Sequence, residues 1–376
     1  MDHGVEFHQA RSQEREMRSY IQHEEAHGER FMSDTQKKAT MALDYVDYED
    51  YRGSNETENI TDDREAPDFS SSQSSLIYFL VAVDIITSAV GLVGNLLVIW
   101  ICGWKMNKTV LTTWYTSLAV SNLFFCVFLP LDIFYIMTSH WPFGQVLCKL
   151  SSSALFLNMH SSVFLLVLIS ADRCILILFP VWAHNHRTVK KANGVVALVW
   201  LLAALLTLPS LIFKETKVHG PIIQCHTEYG SRSRHKAVAL IRFVFGFLIP
   251  CLMIVCCCVV LGVKLRSLTI RSKKPYKIMV ALILSFFFCW IPYHTFILLE
   301  LDFNKHSLNV LESGLKVGVA LAASNSFISP ILYVFIGSDF KQTLKRSLTS
   351  RFKDAMAEDL RTAGYNQSMS RSMEIH

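Results

Sequence analysis

Charge is what this 376-residue chain has least of: Asp, Glu, Lys and Arg together make up 18%, against 51% hydrophobic residues. Soluble domains carry about a quarter charged residues. The shortage argues against a water-soluble enzyme, and against a chain that is disordered or coiled-coil throughout. No Gly-rich phosphate loop, HExxH or GxSxG occurs, so phosphoryl-transfer, zincin and serine-hydrolase chemistry lack their residues. No enzymatic activity, cofactor or metal is expected. The net charge of +5 is too small to suggest a nucleic-acid partner. Residues 1–40 are polar, with no apolar core. No cleavable signal peptide is therefore expected, and the first apolar block acts as its own insertion signal.

What is present is seven long apolar blocks, at 76–103, 113–137, 148–178, 191–213, 236–264, 277–299 and 309–336. Each runs past the roughly 20 residues a helix needs to cross a hydrocarbon core. Core strands and core helices are shorter, so the fold class is an all-α membrane protein, a seven-transmembrane helix bundle. Lys105 and Lys108, then Arg187, Lys190 and Lys191, then the run from Lys264 to Lys277 make loops one, three and five basic, while the second loop around Trp141–Gly144 has no Lys or Arg. Basic loops stay in the cytosol. The N-terminus is thus expected outside and the C-terminus inside a multi-pass plasma-membrane protein. Sequons at Asn55 and Asn59 agree with a glycosylated extracellular tail.

Four segments follow: a disordered extracellular tail over 1–75, the bundle over 76–337, a cytosolic amphipathic helix over 338–353 and a disordered tail over 354–376. Composition shifts at Met41, which reads as an alternative start: residues 44–68 hold ten acidic residues against Arg52 and Arg64. Tyr45, Tyr48 and Tyr51 stand among Asp44, Asp47, Glu49 and Asp50. That setting favours tyrosine sulfation and would steer in a basic protein ligand. A merely solubilising tail fits equally well. Lys341, Lys345, Arg346, Arg351 and Lys353 flank Phe340, Leu344, Leu348 and Phe352, a pattern for a helix lying on anionic membrane lipid.

Eight of the ten cysteines fall inside the blocks or at their cytosolic ends and read as packing residues. Cys148 and Cys225 alone face the oxidising side, so a disulfide between them is expected. Ionisable residues within the blocks are Asp84, Asp132, Arg242, Glu312 and Lys316. Such residues are costly in a membrane and usually functional. Most stand in the outer half of their spans, where they line an outward-facing cavity rather than a conduction path. No inverted repeat is apparent, which leaves a transporter or channel as the remote alternative.

Short motifs then recur span after span: Gly94-Asn95; Leu118-Ala119-Val120-Ser121-Asn122; Asp172-Arg173-Cys174, 25 residues after Cys148; Trp200; Pro250; Phe286 with Cys289-Trp290-Ile291-Pro292-Tyr293; and Ser329-Pro330-Ile331-Leu332-Tyr333 before Asp339-Phe340. Together they resemble the rhodopsin-class G-protein-coupled receptors over residues 76–350. Phe179-Pro180-Val181-Trp182, Asn185-His186-Arg187, His140-Trp141-Pro142-Phe143-Gly144, Lys274-Pro275-Tyr276-Lys277 and Pro292-Tyr293-His294-Thr295 with Leu298-Leu299-Glu300 narrow the likeness. They resemble the chemoattractant receptors of the formyl-peptide and chemerin branch, the chemerin type most of all. The retinal lysine's place holds Ala323, so an opsin is excluded.

The resemblance implies roles. Asp172 and Arg173 would meet a heterotrimeric G protein, of the inhibitory class, and Ser368, Ser370 and Ser372 would be phosphorylated for arrestin. Phe286, Trp290, Pro292 and Tyr333 would form the activation switch. Arg242 would take a carboxylate of an extracellular peptide or small-protein chemoattractant, with Glu300, Lys316, His294 and Asp132 as rim residues. An Arg snorkelling at the interface is the plainer reading of position 242. The acidic residue often found at the start of span six is absent, with Ser272 there. Asn122 holds the sodium site's usual aspartate position, Ser329 replaces the Asn or Asp of span seven, and Cys258 replaces a tyrosine eight residues after Pro250. The remaining lining, Asn158, Ser162, Asn325 and Ser326, has no carboxylate, so sodium regulation is expected to be weak or absent. These changes keep a non-signalling scavenger open, and Arg242 leaves open an acidic lipid mediator.

Overall fold

In hydrocarbon only a helix or a closed barrel satisfies its own backbone, and the apolar blocks become helices. The computed structural model describes residues 68–267, 274–302, 307–337, 340–347 and 349–350. Met41, Tyr45, Tyr48, Tyr51, Asn55, Asn59, Ser272, Asp339, Leu348, Arg351, Phe352, Lys353, Ser368, Ser370 and Ser372 lie outside the described residues. Among the described residues, seven helices are long and apolar enough to cross a membrane. Spans one to seven are Ser75–Lys105, Val110–Thr138, Gly144–Leu178, Val189–Phe213, Arg232–Lys264, Tyr276–Glu300 and Leu308–Phe335. The helix of span one already runs at Asp68, inside the stretch assigned to the tail.

Local chemistry sets the ends. Thr109 caps span two, accepting from Thr112 N at 3.1 Å, while Thr112 Oγ1 accepts from Thr109 N at 2.8 Å. Thr188 and Ser231 cap the starts of spans four and five in the same way. These side chains satisfy backbone donors that a helix start leaves open. Span five loosens into a π turn over Val244–Leu248, just before Pro250, where a proline has no N–H to give.

Span three runs through the middle, with Met159, Val163, Leu165 and Ile169 fully buried, and it packs against spans two, four, five and six. Span seven closes the ring against spans six, one and two. Spans six and seven approach closely at Gly318: a Cβ there would stand 2.8 Å from the Tyr293 Cα. Small residues permit this kind of contact between membrane helices.

A hairpin lies over one end of the bundle. Strands β1 (Lys214–His219) and β2 (Ile222–Thr227) pair antiparallel from Lys214↔Thr227 to His219↔Ile222, turning at Gly220 with φ +58. Cys225 on β2 is bonded to Cys148 at the start of span three, as the sequence led us to expect. Tyr135 on span two brackets the same residue, donating from Oη to Cys225 O at 3.3 Å and accepting from Cys225 N at 3.0 Å. Trp141 N donates to Ile223 O at 2.8 Å. Beyond β2, Lys217 Nζ donates to Glu228 Oε2 at 2.7 Å and holds that carboxyl below its ordinary value. The pair therefore helps above the unfolded pKa of Glu228 and fades as pH falls, by little because both groups are only half-buried and solvent screens them.

At the opposite end, residues 340–347 form a short helix after span seven. Phe340 is buried and Leu344 half-buried, while Lys341, Lys345 and Arg346 are exposed. The basic and apolar faces are separated, as an amphipathic helix requires.

Removing the disulfide with Cys148→Ala and Cys225→Ala should lower stability by about 2–4 kcal/mol. Thermal melts of the detergent-solubilised chain would show a lower midpoint, and reductant would lower the wild-type midpoint but not the variant's.

Candidate functional site

The candidate residues gather at two places, one toward the hairpin end and one at the opposite end. Arg242 on span five is buried, 5% exposed. Its Nη2 donates to Ser210 Oγ of span four at 2.8 Å, and its guanidinium sits 3.6 Å from the Phe156 ring centroid on span three. The side chain turns into the bundle and does not snorkel toward lipid. A desolvated cation on an aromatic face is worth about 2 kcal/mol, less than the cost of taking the charge out of water.

His294 on span six shares this region. Its ring lies 4.5 Å from Phe247, 5.2 Å from Tyr293 and 5.8 Å from Phe243. Both its ring nitrogens are buried without a hydrogen-bond partner. His160 on span three, absent from the sequence reading, is fully buried with Nδ1 3.4 Å from Thr207 Oγ1. A Cβ on Gly246, in the π turn, would stand 2.8 Å from the His160 ring. Its one sequence signal was its place four residues after Phe156, on the same face of span three.

The other rim candidates are not gathered here. Glu300 is buried with its carboxylate 4.0 Å from His235 Nε2, and His235 stacks on Tyr229 at 4.9 Å. Lys316 Nζ donates to Glu312 Oε1 at 2.7 Å within span seven. Asp132 accepts from Ser151 Oγ at 2.6 Å, between spans two and three.

Below Arg242, the Phe286 and Trp290 rings lie 6.0 Å apart, and Trp290 meets Tyr293 at 5.9 Å. Both Phe286 and Trp290 are fully buried in the core that includes Met159 and Val163. Pro292 is inside the span-six helix. Tyr333 packs on Tyr115 at 4.8 Å and on Phe340 at 6.2 Å.

Between these regions, amides replace what a cation would need. Asn158 Nδ2 donates to Asn122 Oδ1 at 2.9 Å and to Ser121 Oγ at 3.1 Å. Asn122 Nδ2 faces Asn95 Oδ1 at 3.4 Å. Ser329 Oγ donates to Asn325 O at 3.4 Å, and Ser162 and Ser326 hydroxyls have no partner. The lining is made of amides and hydroxyls, with no carboxylate among these residues to neutralise a cation.

At the far end Asp172 serves two guanidiniums. Arg173 Nη2 donates to Asp172 Oδ2. Arg187, from the loop after span three, donates from Nε to Oδ1 at 2.6 Å and from Nη2 to Oδ2 at 3.0 Å. The sequence suggested the first pair and missed the second, because Arg187 read as one of several loop cations. Such a bidentate fork is among the stronger ion pairs. Cys174 Sγ donates to Cys257 O at 3.1 Å, tying spans three and five beside it.

A family model described as 7 transmembrane receptor (rhodopsin family) matches residues 94–333. Chemerin-like receptor 1 of Homo sapiens is 44% identical over 308 residues, 76% of this chain and 82% of its own length. The same receptor of Mus musculus is 43% identical over 307 residues, with the same shares. The C3a anaphylatoxin chemotactic receptor of Oncorhynchus mykiss is 40% identical over 298 residues, 76% of this chain and 81% of its own.

A lining of amides and hydroxyls carries forward the expectation that sodium has little or no effect. Melting midpoints in sodium and in choline chloride should coincide for the wild type. Asn122→Asp should restore a sodium-dependent rise, since it returns a counter-charge to the site; a sodium shift already present in the wild type would contradict this account.

Proposed function

We propose, since the chain belongs to the rhodopsin family of seven-transmembrane receptors, that it senses an extracellular peptide or small-protein chemoattractant of the chemerin type. The relatives support this by name, two as chemerin-like receptors and one as a chemotactic receptor for the C3a anaphylatoxin. The observation that carries the ligand reading is the Arg242 guanidinium, held inside the bundle on Phe156 and Ser210. There it offers donors to a carboxylate in a dry setting, where a bidentate pair is strongest. A peptide's C-terminal carboxylate fits, with His294 beside it to supply a further polar contact.

In this reading the hairpin end faces outside, because its disulfide needs an oxidising compartment, and the basic loops and the helix 340–347 face the cytosol. The C-terminus is then inside a plasma-membrane protein. Ligand binding shifts a pre-existing equilibrium through Trp290, Phe286 and Pro292 toward a state in which Arg173 leaves Asp172 and meets a heterotrimeric G protein. The inhibitory class and arrestin recruitment follow the resemblance to the chemoattractant branch. Asn122, Ser329 and Cys258, with the doubly engaged Asp172, favour as second reading a receptor that binds ligand without coupling.

Cells expressing the chain would be challenged with the C-terminal peptide of chemerin, reading cAMP inhibition and arrestin recruitment. Arg242→Ala should weaken potency about 30- to 150-fold, the loss of roughly 2–3 kcal/mol of charged hydrogen bonding. Arg173→Ala should bind peptide normally and give no cAMP response. Binding and internalisation without any cAMP signal in the wild type would favour the scavenger; no binding at normal surface expression would sink the ligand assignment.

Asp172→Asn frees Arg173 and weakens the hold on Arg187. Basal signalling of this variant should exceed the wild type's at equal surface expression.

A further inference from the structure

Asp84 on span one has no role in the account so far. It is 5% exposed, and its Oδ1 is buried without a hydrogen-bond partner. The side chain lines a cavity between spans one, two, three and seven, roofed by the start of β1 and by the disulfide. A carboxyl buried without a partner is costly to ionise unless a counter-charge arrives beside it.

The cavity's other ionisable walls are Asp132 and Lys214. Asp132 accepts from Ser151 Oγ at 2.6 Å, and Lys214 Nζ reaches Thr227 Oγ1 at 3.4 Å. Two carboxylates stand against one ammonium, so the formal balance is one negative charge in excess. Most of the remaining wall is apolar, including Phe125, Leu129 and Val319. Leu155 lines this cavity on span three, and its neighbour Phe156 carries Arg242. The two regions therefore lie on different flanks of one helix, with opposite charge.

We infer that this cavity is a second subsite, which takes a cationic group of the extracellular ligand, a guanidinium or ammonium on an apolar stem, against Asp84 with Asp132 beside it. The inference rests on the reading of the chain as a receptor entered from the hairpin end. A ligand with an anionic terminus for Arg242 and a basic residue or free amine for Asp84 would engage both flanks of span three. Low local dielectric strengthens such a pair once water is displaced.

The test uses the purified full chain in lipid nanodiscs, and neither peptide nor G protein. Phenethylguanidinium is compared with phenethylurea, which has the same apolar body and no charge, by the rise in melting midpoint with concentration. The guanidinium should stabilise the wild type at least about tenfold more tightly than the urea. Asp84→Asn and Asp132→Asn should each remove most of that preference, and Arg242→Ala should keep it. Equal affinity for the two compounds, or a guanidinium preference unchanged in Asp84→Asn, would overturn the subsite. So would no stabilisation by the guanidinium at all. If Asp84→Asn does not fold, the wild-type comparison and Asp132→Asn still decide. Failure of the chemerin peptide to signal leaves this readout untouched, so the two proposals fail separately.

Discussion

Asn95 places its side-chain amide between two carbonyls, Gly91 O on its own helix and Ser326 O on span seven, each at 2.8 Å. Its oxygen meets Asn122, and Asn122 in turn takes a hydrogen bond from Asn158. A chain of amides thus links spans one, two, three and seven. Lipid tails are as apolar as leucine, so burial does little to draw helices together in a membrane. The register of the bundle depends on such polar ties and on contacts at small residues. Trp200 Nε1 to Ser117 Oγ at 3.0 Å extends the same logic to spans two and four. Asn122 keeps partners in Asn95 and Asn158 where a carboxylate is usual.

The charges that remain in the bundle are sorted by end and by flank. Arg242 lies among aromatics toward the hairpin end, and Asp84 and Asp132 share a cavity on the other side of span three. Asp172 neutralises two arginines at the opposite end. The last arrangement is a paired one, since both Asp172 oxygens accept from guanidinium nitrogens of Arg173 and Arg187. Asp84 and Asp132 line a cavity, while Arg242 rests on Ser210 and the Phe156 ring. A buried carboxyl oxygen without a partner, as at Asp84 Oδ1, is poor stabilisation but leaves an acceptor for recognition.

Much of this was legible beforehand. Hydropathy length alone placed all seven spans within a few residues, because nothing else in a chain of this size produces blocks so long. The disulfide followed from which side of the membrane each thiol faced. What stayed hidden were directions of side chains. Arg187 could not be told from other loop cations until the turn of the short helix Pro180–His186 brought it back to Asp172. His160 looked like one more polar residue in span three, and its burial depends on a π turn that brings Gly246 against it. Asp84 was visible as an intramembrane carboxylate, but the cavity it faces is built by four helices and a hairpin, and no local pattern encodes that.

Tyr293 and Gly318 touch backbone to side of helix, next to Pro292, where span six lacks a hydrogen bond. So close an approach resists sliding and would make this contact a fulcrum for span six rather than a track. From that point to Lys274 the helix is about 28 Å long at 1.5 Å per residue. A change in kink of about 20° then sweeps its far end through roughly 10 Å, while the ring of Trp290, close to the pivot, moves only slightly. In the proposed activation, a small rearrangement where the aromatics pack would be converted by leverage into a displacement as wide as a helix.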